Sequence, residues 1–171
     1  MSPTLYAEDL VGREAPDLSG ELAPEPGKLK VSDLLEELKF VEQGDKYLAL
    51  RQRNVVVLNF FATWCVPCIR EIPAFNRLAQ SMKDQPVKFL YVNVDQEITQ
   101  ATVKKMIAKY NLRVPVLLPQ REYAVEAYGA DALPRIVMID RAGKIAEVIT
   151  GFEDHLEEKL KTRISELLKN P

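Results

Sequence analysis

The fold is decided by residues 55–68, which read VVVLNFFATWCVPC. The apolar run from Val55 to Ala62 is too uniform for a strand with one wet face, and it predicts a central strand covered on both sides. An amphipathic helix is predicted from about Val66 to Lys83. A strand that delivers a C-x-x-C to the first turn of a helix places one thiol among free N–H groups, where negative charge is favoured. The stretch therefore predicts a reactive thiolate and redox chemistry.

Length and composition predict one globular domain, residues 1–171. The chain has 171 residues, of which 47% are hydrophobic and 28% charged, enough for a core without disulfide staples. A net charge of −2 gives no long-range attraction to nucleic acid or to an anionic membrane surface. The chain has two cysteines, and the loop that they would close is too short to restrict the unfolded state much. They are better suited to chemistry.

The rest of the chain alternates between strand and helix patterns. Residues 1–30 are rich in proline and glycine and predict irregular or short extended structure. From Val31 the pattern is helical, with Asp33 as a cap and Glu36 three positions on; one face is formed by Leu34, Leu35, Leu38 and Val41. Gly44-Asp45 interrupts this pattern. The later elements are strands over 87–95, 114–118, 135–140 and 144–151, with helices over 103–111, 122–128 and 153–169. The order predicts an α/β fold, a mixed central sheet with helices on both faces.

Four motifs together point to a known family. They are the run from Asn59 to Cys68, Glu71 followed by Pro73, Leu133-Pro134 ahead of a strand, and the segment IDRAGKI at 139–145. This pattern resembles the thioredoxin fold, and more narrowly its TlpA/ResA-like branch of thiol–disulfide oxidoreductases. Upstream, Ala15-Pro16-Asp17-Leu18 is similar to the opening segment of such domains, so the resemblance covers roughly Gly12 to the C-terminus. It implies a thioredoxin core over 55–171 preceded by an extension and insertion over 1–54.

Two departures from the family pattern stand out. Residues Glu36 to Arg53 are inserted before the active-site strand, and they have a helical appearance. The residue after the expected cis-proline is Arg135, where the family commonly has threonine. The first departure points to a specific partner and the second to an altered substrate fit.

Three residues are expected to carry the chemistry. Cys65 is the nucleophile, because a C-x-x-C at a helix N-terminus brings a thiol pKa from ~8.5 down to about 3.5–7.5. Cys68 lies one turn further along and would attack the mixed disulfide to release the reduced partner. Glu71 lies one turn beyond Cys68, and a buried carboxylate there would have a raised pKa and relay protons. The competing interpretation of Glu71 is a solvated surface carboxylate.

Four residues are expected to bind the substrate. Trp64 would shield the site and offer apolar surface, with a plain core aromatic as the alternative. Pro67 suits the first turn of the helix because it lacks an N–H. The resemblance implies a cis bond between Leu133 and Pro134, which would place the backbone of Leu133 beside Cys65 for pairing with an extended segment.

The sequence predicts a thiol–disulfide oxidoreductase that needs no metal and no organic cofactor. Its expected partners are protein thiols or disulfides and an upstream electron donor, and it is expected to be a monomer. The resemblance implies a periplasmic or otherwise extracytoplasmic reductase, for example of apocytochromes c, whose signal or anchor is missing from this chain; a cytoplasmic location stays open. A zinc half-site would need four ligands, and His155 is the single histidine. The alternatives are a copper-binding chaperone and a non-catalytic module that binds a partner through Glu36–Arg53.

Overall fold

The structure is a computed structural model, and it describes residues 6–169; the outermost residues of the predicted domain lie outside this range. The helices of this range are α1 (Ala7–Leu10), α2 (Val31–Leu35), α3 (Val66–Ser81), α4 (Gln100–Tyr110), α5 (Arg121–Tyr128) and α6 (Leu156–Lys169). The strands are β1 (Ser19–Ala23), β2 (Lys28–Lys30), β3 (Glu36–Gln43), β4 (Lys46–Arg53), β5 (Val55–Phe61), β6 (Val87–Asn93), β7 (Val116–Pro119), β8 (Arg135–Ile139) and β9 (Ile145–Thr150).

The main sheet has seven strands in the order β2-β1-β7-β6-β5-β8-β9. β5 runs parallel to β6 and antiparallel to β8, so the sheet is mixed, as predicted. Every residue of β5 is buried, which confirms the central strand inferred from its continuous apolar run. The N-terminal segment joins the sheet, because β1 pairs with both β2 and β7.

Helices cover both faces of this sheet. Alternate side chains of β5 point to opposite faces, so Val57 and Phe61 enter one core cluster while Leu58 and Phe60 enter the other. The buried apolar residues of α3, α4 and α6 belong to the first cluster. Those of α1, α2 and α5 belong to the second. The predicted α/β architecture is confirmed.

The helical interpretation of the Glu36–Arg53 insertion is wrong. The helix that starts at Val31 ends at Leu35, and residues 36–53 form an antiparallel hairpin, β3–β4, that is separate from the main sheet. Gly44 and Asp45 form its two-residue turn, with Gly44 at φ +62°. Asp33 occupies the third position of α2, where its carboxylate accepts the Lys30 N–H at 3.0 Å, so Asp33 is not the N-cap residue and Glu36 plays no part in the cap.

Pro73 lies inside α3, as the sequence predicts, and the kink expected there stays a prediction. Within residues 6–169, no helix combines the length and the apolar character needed to cross a bilayer.

Candidate active site

The two cysteines lie where the central strand passes into α3. β5 ends at Phe61, and Cys65 is the N-cap residue of the helix. Cys65 and Cys68 form a disulfide with their Cα atoms 5.3 Å apart. The Cys68 N–H donates a hydrogen bond to Cys65 Sγ at 3.3 Å. After reduction, a thiolate on Cys65 would meet this N–H and the other free amides of the first turn, which favour negative charge.

An exposed apolar surface surrounds the disulfide. The residues Cys65 and Cys68 are buried, whereas Trp64 is 69% exposed and Val66 is 65% exposed. Pro67, at the second position of α3, is exposed as well. Trp64 therefore does not belong to the core, and its position is compatible with the predicted contact with a substrate. That role, and the same role for Pro67, stay predictions.

The Leu133–Pro134 segment lies at the same edge of the sheet as the end of β5. The register pairs Phe60 with Arg135, so the start of β8 faces the last residues of the active-site strand. The Leu133–Pro134 peptide bond is cis. Leu133 is half-buried and packs against the core cluster that contains both cysteines, while Pro134 is buried. Leu133 and the cysteines thus share one cluster at this edge of the sheet, and substrate binding by Leu133 and Pro134 through strand addition stays a prediction.

Arg135, the residue that departs from the family pattern, does not present its charge to solvent. It is 2% exposed, and its guanidinium donates to Thr150 Oγ1 at 3.1 Å. Burial lowers the pKa of Arg135, and the charge of Asp131 acts in the opposite direction. The side chain therefore supports the β8–β9 pair from inside the protein.

Glu71 is buried one turn after Cys68, which contradicts the alternative of a solvated carboxylate. It is 2% exposed, and Oε1 accepts the Glu153 N–H at 3.1 Å. Oε2 is buried and has no hydrogen-bond partner among the described residues. Burial raises the pKa of Glu71 from 4.5 to about 7; the hydrogen bond from Glu153 lowers it, and the charge of the Glu153 carboxylate raises it. Near neutral pH the group is therefore able both to accept and to give up a proton.

Asp95 holds the loop that leads into the cysteines, and sequence reasoning missed it. Its two carboxylate oxygens accept the Thr63 N–H at 2.9 Å and the Thr63 hydroxyl at 3.0 Å. Asn93 orients Asp95 by donating from its side-chain amide at 2.7 Å and accepting the Asp95 N–H at 3.0 Å. A signal existed: β5 and β6 are parallel, with Phe61 opposite Asn93, so polar residues after β6 reach the edge that carries the cysteines.

A family comparison decides the identity of this fold and site. The family model described as Redoxin matches residues 10–164, from α1 to within α6. The chain belongs to the Redoxin family. The match covers the cysteine pair, Glu71, Asp95 and the cis-proline segment, so each of these elements belongs to the family domain.

Individual relatives of this Redoxin-family chain confirm the TlpA/ResA-like resemblance. It is 36% identical over 108 residues to the thiol-disulfide oxidoreductase ResA of Geobacillus thermodenitrificans, an alignment that spans 60% of this chain and 61% of that protein. It is 32% identical over 145 residues to the protein of the same name from Halalkalibacterium halodurans, spanning 84% of this chain and 77% of that one. A solved structure described as a candidate thiol:disulfide interchange protein DsbE from Chlorobium tepidum has a TM-score of 0.74 at 25% identity and covers 92% of this chain and 97% of its own.

Metal ligands do not cluster in the described part of this Redoxin-family chain. Between residues 6 and 169, no group of three or more His, Cys, Asp and Glu side chains is arranged to hold a metal ion. The expectation that the protein works without a metal or an organic cofactor stays a prediction.

Proposed function

We propose that this protein is a thiol–disulfide oxidoreductase that exchanges a Cys65–Cys68 dithiol or disulfide with protein substrates. The observation that carries the proposal is the Cys65–Cys68 disulfide at the N-terminus of α3, with the Cys68 N–H directed at Cys65 Sγ at 3.3 Å. The thiol-disulfide oxidoreductases named ResA among its relatives support the same activity.

The reduced protein would reduce a substrate disulfide in two exchange steps. The Cys65 thiolate attacks one substrate sulfur, and the other substrate sulfur leaves as a thiolate, which gives a mixed disulfide. Cys68 then loses its proton and attacks Cys65 Sγ. The first substrate sulfur leaves in turn, so the substrate holds two thiols and the protein holds the Cys65–Cys68 disulfide. An upstream dithiol donor regenerates the protein by the reverse exchange.

Glu71 would handle the proton of the second step. With a pKa of about 7, its carboxylate is available near neutral pH to take the proton of Cys68, one helical turn away, by a direct hydrogen bond or through one water. The Cys68 thiol must ionise before it can attack, because the thiolate is the nucleophile. Glu71→Gln should therefore slow release of the substrate more than formation of the mixed disulfide.

We further propose that the protein acts as a reductant of extracytoplasmic proteins such as apocytochromes c. This step extends the TlpA/ResA-like resemblance of the sequence. Its test is the reduction potential of the Cys65–Cys68 pair, measured by equilibration with glutathione. A reduction potential well below that of the surrounding thiol pool supports a reductant. A reduction potential near that of a strong oxidant such as DsbA, about −120 mV, contradicts the proposed role.

Insulin reduction by dithiothreitol tests the activity itself. The wild-type chain should accelerate precipitation of the insulin B chain, and Cys65→Ser should abolish the acceleration. Cys68→Ser is the matched variant, because it keeps the attacking thiol and should accumulate a mixed disulfide that mass spectrometry detects. Equal rates for wild type and Cys65→Ser would contradict the proposal. Copper titration distinguishes the copper-chaperone alternative, which requires stoichiometric binding.

A further inference from the structure

The β3–β4 hairpin projects from the domain and is attached at its base. The Asn54 N–H donates to the Leu35 carbonyl at 2.9 Å, and Lys88 forms an ion pair with Glu37 at 2.5 Å. The Arg53 carbonyl accepts from Arg141 Nε at 3.2 Å. Among the described residues, neither strand pairs with a strand other than its hairpin partner.

The rest of the hairpin exposes large apolar side chains on both faces. Their exposed fractions run from 45% to 73%, and they belong to Leu38, Phe40, Val41, Tyr47, Leu48 and Leu50. An isolated two-stranded hairpin is at best marginally stable in water, and three or more strands with a hydrophobic face are needed for independent stability. Contiguous exposed apolar surface of this kind is typical of an interaction site.

The backbone groups of β4 show which edge is available. Gln43 and Lys46 close the two-residue turn, so their backbone groups face each other. Along an antiparallel strand, the backbone N–H and C=O groups of alternate residues point toward and away from the partner strand. The N–H and C=O groups of Tyr47, Ala49 and Arg51 therefore face away from β3. Arg53 continues this alternating series, and its carbonyl does face away from β3, since it accepts a hydrogen bond from Arg141 Nε.

We propose that two copies of this chain associate by antiparallel pairing of these outer β4 edges, centred on Ala49. In this register the N–H and C=O groups of Ala49 form hydrogen bonds with the C=O and N–H groups of the partner's Ala49. Tyr47 lies opposite the partner's Arg51, a pairing that favours a cation–π contact. Leu48 lies opposite the partner's Leu50, in the closer non-hydrogen-bonded position of the ladder. The result is a four-stranded sheet in the order β3-β4-β4-β3.

Charge favours a second copy over a strongly charged partner. The hairpin carries four acidic residues and four basic residues over positions 36–53, so its net charge is zero. Glu36 already pairs with Arg51 at 2.8 Å, and Glu37 with Lys88. A nucleic acid or an anionic lipid surface would gain little from such a surface.

The outer strand of the proposed sheet resists further growth. β3 carries charged side chains along most of its length, whereas residues 47–50 of β4, at the centre of the proposed pairing, are uncharged. Charged side chains along an edge strand discourage pairing with another chain. The association therefore closes as a two-fold dimer. Each domain lies at the base of its own hairpin, so the antiparallel arrangement places the two domains at opposite ends of the shared sheet. The monomer expected from the sequence is the alternative to this proposed dimer.

Cysteine cross-linking of the full chain tests the register. In a Cys65→Ser, Cys68→Ser background, Ala49→Cys should form a symmetric disulfide on mild oxidation, because directly opposed hydrogen-bonded residues have Cα atoms about 5.5 Å apart, within disulfide range. Lys39→Cys, on the outer strand, is the matched control and should stay uncross-linked. Equal cross-linking of both variants, or none at Ala49→Cys, would overturn the register.

Sedimentation equilibrium of the otherwise wild-type chain tests the association itself. Tyr47→Lys sets a like charge opposite the partner's Arg51 twice in the dimer, and it should raise the dissociation constant about tenfold or more. Phe40→Lys removes an equally exposed aromatic away from the shared edge and should change the constant much less. A monomer at every concentration, an equal effect of both variants, or binding of the monomeric chain to neutral phosphatidylcholine vesicles through the hairpin would each refute the proposal.

Discussion

Replacing Glu71 by Gln should remove a pH dependence of stability that the buried carboxylate imposes. Burial raises the pKa of Glu71 from 4.5 to about 7, so the folded chain holds this proton more tightly than the unfolded chain does. Protonated Glu71 therefore contributes stability that is fully present below about pH 4.5 and is lost as the pH rises through about 7.

The magnitude follows from the two pKa values. One pKa unit corresponds to about 1.4 kcal/mol, so the rise at Glu71 corresponds to about 3 kcal/mol in total. Most of this, about 2–3 kcal/mol, falls between about pH 5 and about pH 8. Gln keeps the carbonyl oxygen that accepts the Glu153 N–H at 3.1 Å, so the variant should fold and lack the titration.

Urea unfolding of the oxidised protein at these two pH values measures the effect. The free energy of unfolding of Glu71→Gln, relative to that of wild type, should rise by about 2–3 kcal/mol on going from about pH 5 to about pH 8, because wild type loses stability over this range and the variant does not. Glu158→Gln, at an exposed position of α6, should follow wild type at both pH values. If the free energies of unfolding of wild type and Glu71→Gln differ by the same amount at both pH values, the buried carboxylate does not titrate in this range.

Four further substitutions, one of them an exposed control, test the framework around the site and the inserted hairpin. Asp95→Ala leaves the Thr63 N–H and hydroxyl without their carboxylate partner, and should lower the free energy of unfolding by about 1–3 kcal/mol in urea titrations. Leu58→Ala, at a fully buried position of β5, should cost about 2–5 kcal/mol in the same assay. Leu38→Ala is the matched control at a position that is 59% exposed, and its free energy of unfolding should stay within about 0.5 kcal/mol of that of wild type. Gly44→Ala forces a side chain to φ +62°, and hydrogen exchange should show the hairpin amides less protected by about 1 kcal/mol.

The central part of the fold could be predicted from the sequence because its signals are local. The apolar run of β5 is buried at every position, and α3 begins at the residue after Cys65. The turn of the last hairpin also carries its own signal, since Asp140 Oδ1 accepts the N–H groups of Ala142 and Lys144, both at 2.9 Å. Such patterns specify an element without reference to the rest of the chain.

The inserted hairpin was predicted wrongly because two periodicities overlap in it. Leu34, Leu35, Leu38 and Val41 fit one face of a helix, while Leu38 and Phe40 also fit a strand. Gly-Asp between two runs of strand-forming residues is itself a hairpin signal, and it favours the observed structure. The contact that ends α2 and starts the hairpin, Asn54 N–H to the Leu35 carbonyl, joins residues far apart in the chain and leaves no local pattern.

At the site, motif reasoning could place the cysteines but not the environment of Glu71. Its burial depends on the segment Gly151 to Glu153, which follows β9. Within it, Gly151 donates to the Pro134 carbonyl at 2.9 Å and Glu153 donates to Glu71 Oε1 at 3.1 Å. One short segment thus connects the group expected to carry the proton with the backbone expected to receive the substrate. A hydrogen bond to an ionised carboxylate is stronger than one to its neutral form, so this connection tightens when Glu71 loses its proton.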